Sequence, residues 1–154
     1  MLACAGAGRG LNGARGRKGV AMRIVVAAVL YFAIVFAVGL ALGPIRVLWL
    51  EPRLGVTLAV LCETPFLLAA MIFAARWVPR KTGLGNDLAP LALMGIGALA
   101  LQQAADLGVG IWLRGLAPGQ QYAGLATPAG AVYLALLVVF AVLPAALNAG
   151  RRHT

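Results

Sequence analysis

Residues 24–43 read IVVAAVLYFAIVFAVGLALG, twenty positions without a charge. About 20 apolar residues in a helix cross a ~30 Å hydrocarbon core, so this stretch by itself predicts a membrane span. Three more runs follow it. Residues 56–75, VTLAVLCETPFLLAAMIFAA, contain one charge, Glu63. Residues 88–113, LAPLALMGIGALALQQAADLGVGIWL, carry Gln102, Gln103 and Asp106. Residues 129–149, AGAVYLALLVVFAVLPAALNA, are uncharged and hold Pro144 near their end. Spans of a β-barrel would alternate apolar and polar residues, and these do not. Short links make successive helices antiparallel neighbours. The expected fold is all-α and polytopic: four antiparallel transmembrane helices in an up-down bundle, at about 24–43, 56–75, 88–113 and 129–149.

Composition agrees. The chain of 154 residues is 62% hydrophobic and 11% charged, where soluble domains have about 45–50% and about 25%. A net charge of +9 raises the question of nucleic acid, but the cations cluster at the ends of apolar runs and form no stripe, so none is expected as a partner. Cys4 and Cys62 are too few for a disulfide framework, and with His153 alone a zinc site lacks ligands. Lys18 and Lys81 are not preceded by a phosphate-binding glycine loop. The residues therefore predict no catalytic centre, no metal and no cofactor.

Residues 1–21 are mostly Gly, Ala and Arg/Lys, and we expect a disordered basic tail or an upstream extension of a chain starting at Met22. The transmembrane domain then covers 22–149, with a short tail at 150–154. A cleaved signal peptide rivals the first span, because Ala41-Leu42-Gly43 has the small residues of a cleavage site. The run is longer than a signal's usual ~7–15 apolar residues, and Pro44 should hinder cleavage. A retained helix is the favoured reading. Orientation follows from the flanking cations. Arg9, Arg15, Arg17, Lys18, Arg23, Arg76, Arg80, Lys81, Arg151 and Arg152 fall on one side, against Arg46, Arg53 and Arg114 on the other. Both termini are expected in the cytoplasm. Trp49, Trp77 and Trp112 sit near helix ends, where aromatic anchors meet the headgroups.

Glu63 is the most informative polar residue, since an ionisable group inside a span costs about 2.5–3.5 kcal/mol and faces protein or water. Pro65, two positions on, cannot donate to the carbonyl of Leu61 and should kink the helix. The Thr64 hydroxyl can reach back one turn to help satisfy the backbone. Gln102 and Asp106 are four apart and share a helix face, with Gln103 beside them. Glu63 and Asp106 each lie about 10 Å from the same end of their helices, and Arg46 can snorkel towards Glu63. Arg46, Glu63, Gln102, Gln103 and Asp106 are thus expected to form one intramembrane polar cluster. Gly39 with Gly43, and Ala100, Ala104 and Gly108, make small-residue rows suited to close helix contact.

The segment 43–55, GPIRVLWLEPRLG, is apolar for a link and reads as a short amphipathic or re-entrant piece at the interface. With Glu63-Thr64-Pro65 and Ala75-Arg76-Trp77, it resembles a family of small bacterial four-helix integral membrane proteins of uncharacterised activity. That family shows an Ile-Arg-Val-Leu-Trp-Leu-x-Pro-Arg-Leu-Gly stretch, then Glu-x-Pro, then Ala-Arg-Trp. The resemblance is specific over 43–77, looser over 22–149, and implies the topology without an activity.

Two functions fit these residues. The first is a non-catalytic interaction or accessory subunit whose partners are the bilayer and either itself or another membrane protein. The alternative is a small oligomeric transporter or proton-linked channel using Glu63 and Asp106. Small multidrug transporters also have four short helices and a membrane glutamate, but theirs lies in the first helix, which is uncharged here.

Overall fold

The computed structural model describes residues 7–112, 115, 119, 123 and 125–149. Helix α1 runs Ala7–Ile45 and passes into a π-helical turn, Arg46–Leu50, and a short α2, Glu51–Leu54. Then come α3, Val56–Thr82, α4, Leu88–Trp112, and α5, Pro128–Ala149. The described residues are all-helical apart from turns. Four helices, Lys18–Leu54, Val56–Thr82, Leu88–Trp112 and Pro128–Asn148, are long and apolar enough to cross a membrane.

The helices overrun the apolar stretches that predict them. Residues 7–21, expected as a disordered tail, belong to α1. Extending a formed helix requires no new nucleus, and the Ala, Leu, Arg and Lys scattered among the glycines are good helix formers. Residues 1–6 and 150–154 lie outside the described set. α3 continues past Ala75 to Thr82, where Gly83 adopts φ 62° and ends it. The segment expected to be re-entrant is a direct continuation of α1. Pro44 lies inside α1, Pro52 begins α2, and the N–H of Glu51 reaches back five residues to the Arg46 carbonyl. Pro52 has no N–H to offer Leu48, so the wider register falls between the two prolines. Gly55, at φ 78°, then makes the turn into α3.

α1 and α5 each pack along both α3 and α4, so α3 and α4 face each other across the diagonal. Sequence order suggests neighbours wherever a link is short, and here the five-residue link 83–87 instead crosses the end of the bundle. Its Leu84 is consequently only 7% exposed and joins the core. Buried faces follow helical spacing: Ala27, Ala28, Tyr31 and Val35 on α1; Met71, Ala74, Ala75 and Val78 on α3; Leu91, Met94 and Ala98 on α4. α4 and α5 approach most closely at Gly95, where a Cβ would stand 2.0 Å from the Ala141 carbonyl oxygen. Of the small-residue rows, Gly39 has only Leu67 Cδ2 at 3.7 Å from its Cβ position, and Gly43 and Gly108 face open space. The close glycines of α4 lie off its row: Gly95 against α5, and Gly97, whose Cβ position is 3.2 Å from Ala28 Cβ of α1.

Two prolines tie the bundle together through the carbonyls they leave without a helical donor. Pro144 cannot donate to the Phe140 carbonyl, and the fully buried Tyr31 of α1 supplies its hydroxyl instead, at 3.0 Å. The Tyr31 and Phe140 rings stack at 4.6 Å. Pro79 likewise frees the Ala75 carbonyl, which accepts from Asn148 Nδ2 of α5 at 3.2 Å. The same amide nitrogen donates to the Pro144 carbonyl at 2.7 Å. Each missing backbone N–H is replaced by a side chain from another helix, as buried polar groups require where water is absent.

Candidate functional site

The polar residues named from sequence all lie towards one end of the bundle, opposite the link 83–87. Glu63 stands seven residues into α3 and Asp106 six before the end of α4, depths of roughly 10 Å and roughly 9 Å at 1.5 Å per residue. They form two groups. Hydrogen bonds tie Arg46 to Glu63 on one helix pair and Gln102, Gln103 and Asp106 to Tyr133 on another; among the described residues none bridges the two. This separation follows from the diagonal placement of α3 and α4.

In the first group Arg46 opens the π turn. Its Nη1 donates to Glu63 Oε2 at 3.2 Å, and Glu63 is 8% exposed. The Arg46 Nε lies 3.3 Å from Glu51 Oε1, but that N–H has no aligned hydrogen-bond acceptor, so this half of the contact is Coulombic. One guanidinium therefore sits between two carboxylates, one from α2 and one from α3. Pairing of this kind is what allows a charge to reside within a span. Thr64 Oγ1 donates to the Val60 carbonyl at 2.9 Å, one position short of the Leu61 carbonyl that Pro65 frees. α3 remains helical through Pro65.

The second group spans α4 and α5. Gln102 Nε2 donates to Asp106 Oδ1 at 2.9 Å along α4. From α5, Tyr133 reaches Gln103 Oε1 at 2.9 Å and also Asp106 Oδ2. A single hydroxyl proton cannot serve both acceptors at once, so the hydroxyl shares or alternates between them. Thr127 Oγ1 caps the start of α5 by accepting from the Gly130 N–H at 3.1 Å. Tyr133 was absent from the sequence-derived cluster because a lone aromatic in the second turn of an apolar helix carries no polar pattern. The signal that could have found it is depth: Tyr133 lies five residues into α5, close to the level of Asp106.

The three tryptophans occupy helix ends. Trp112 is 87% exposed at the end of α4, and Trp49 at the π turn lies 5.7 Å from the Arg53 guanidinium. Trp77, at the opposite end, lies under Lys81 at 5.8 Å. Cys62 is exposed; Cys4 and His153 lie outside the described residues, as do Arg114, Arg151 and Arg152. Among the described residues no three of His, Cys, Asp and Glu gather as metal ligands. Towards the other end, the centre is filled by Tyr31, Phe140, Leu91, Met94 and Val78, all fully buried. Comparison with protein-family models, with curated proteins and with solved structures finds no match.

Proposed function

We propose that this chain is a non-catalytic integral membrane protein of the bacterial inner membrane, an interaction or accessory subunit with both termini in the cytoplasm. The observation carrying this reading is that each intramembrane carboxylate is bonded within its own helix pair, while tightly packed apolar side chains fill the bundle between them and the far end. A proton carrier needs a group able to exchange partners and a polar route onward. Glu63 is instead held by Arg46, and from there to the far end of α3 every buried residue is apolar: Met71, Ala74, Ala75, Val78 and Pro79. The half-buried Asp106 group, open on one side through Gln103, provides hydrogen-bonding capacity at a depth where lipid tails offer none. That favours a polar contact with another membrane helix.

The test is proton flux into reconstituted vesicles under a pH gradient. Wild type and Glu63→Gln should both leak at the rate of protein-free vesicles. Flux in the wild type that the Gln variant loses would replace this reading with a proton-linked transporter.

A further inference from the structure

α3 shows two distinct faces near its C-terminal end. Ala74, Ala75, Val78 and Pro79 are buried against the bundle, while Phe73, Arg76, Trp77, Arg80 and Lys81 are exposed. Phe73 and Trp77 lie nearly parallel, 6.3 Å apart and 15° from coplanar, one turn from each other on that outer face. Lys81 continues the line with its Nζ 5.8 Å from the Trp77 ring centroid. Arg76 and Arg80 flank the line, also four residues apart. From α1, Arg23 brings its guanidinium to the same helix end by donating to the Gly83 carbonyl at 3.3 Å. Phe73 to Lys81 covers eight residues, about 12 Å, close to the ~15 Å thickness of half a hydrocarbon core.

We propose that this outer stripe of α3, with Arg23 beside it, binds an anionic phospholipid, its acyl chain against Phe73 and Trp77 and its phosphate among Arg80, Lys81 and Arg76. Charge complementarity selects the lipid. The chain has four acidic residues. Glu51, Glu63 and Asp106 all lie towards the opposite end, and two of them already hold Arg46. At the α3 end the described cations Lys18, Arg23, Arg76, Arg80 and Lys81 are accompanied by Asp87 alone. Cations at a membrane surface attract anionic lipid, and an aromatic under a cation holds the charge at the level of the headgroups. A zwitterionic lipid would satisfy the aromatic half of the stripe and leave its excess positive charge unmatched.

The experiment uses the full chain purified in a neutral detergent, with retained lipid measured by native mass spectrometry after adding phosphatidylglycerol or phosphatidylcholine. Phosphatidylglycerol should be retained and phosphatidylcholine stripped. The R80Q/K81Q variant should bind phosphatidylglycerol roughly 30-fold more weakly, the loss of two surface cations, and R80K/K81R should restore it. Arg53→Gln, at the other end, should change nothing. Equal retention of the two lipids overturns the proposal. So does undiminished phosphatidylglycerol binding by R80Q/K81Q, or displacement of the lipid by inorganic phosphate at comparable concentration, which would make the site one for phosphate alone.

Discussion

Tyr31→Phe removes one oxygen from the centre of the bundle and should cost more than its size suggests. The Tyr31 side chain is fully buried, and its ring would keep the stacking contact with Phe140. What disappears is the 3.0 Å bond to the Phe140 carbonyl, an acceptor whose helical donor Pro144 has already eliminated. Leaving a buried acceptor unsatisfied costs about 1–3 kcal/mol, while interhelical bonds in membranes average about 0.6 with a maximum near 1.7. With no substitute N–H along the helix, the upper part of the membrane range applies, about 1.4 kcal/mol, or tenfold in the unfolding equilibrium. In a Pro144→Ala background the restored N–H can bond Phe140, and Tyr31→Phe should then cost under about 0.5 kcal/mol, so the pair couples by about 1 kcal/mol. The cycle cancels the separate cost of emptying the buried proline's space. Reversible unfolding in mixed detergent micelles measures all four variants. Equal losses from Tyr31→Phe in the two backgrounds would refute the reasoning that the hydroxyl replaces the proline's missing donor.

Gly95→Ala should destabilise the bundle by about 1–3 kcal/mol, because backbone, which cannot rotate away, occupies the space its Cβ needs; Gly108→Ala, facing open space, should be neutral in the same unfolding assay. A reporter active only outside the cytoplasm should be active when fused after residue 50 or 120 and inactive after 82 or 154, and activity at 154 would contradict cytoplasmic termini.

Much of the fold was legible because apolar run length is a direct readout of bilayer thickness. The four spans, Glu63 and the Arg46 pairing follow from that and from side-chain reach. The ends were less legible, since helix can propagate past an apolar stretch at little cost, as it does before Met22 and after Ala75. Adjacency was not legible at all. Placing Glu63 and Asp106 at one level is arithmetic along each helix; placing them in one cluster also required knowing which helices touch. Tyr31 and Asn148 escaped notice because an isolated Tyr or Asn in an apolar run carries no pattern. Their signal was in the prolines: Pro79 and Pro144 each announce a carbonyl in need of a donor four residues earlier. Gly95 was passed over for the regular rows at Gly39 and Ala100, because spacing reveals which residues share a face and not how near the next backbone comes.

The diagonal link at 83–87 bears on how the protein is assembled during synthesis. Consecutive spans commonly leave the insertion machinery as a closed hairpin, each shielding the other. α3 and α4 have no such shared surface, since α1 and α5 lie between them. α1 touches both α3 and α4 and offers the template on which each can dock as it is made, with the last helix completing the ring. A fragment containing only α3, the link and α4 has no partner surface of its own and should leave the ribosome as two separate helices on a short tether.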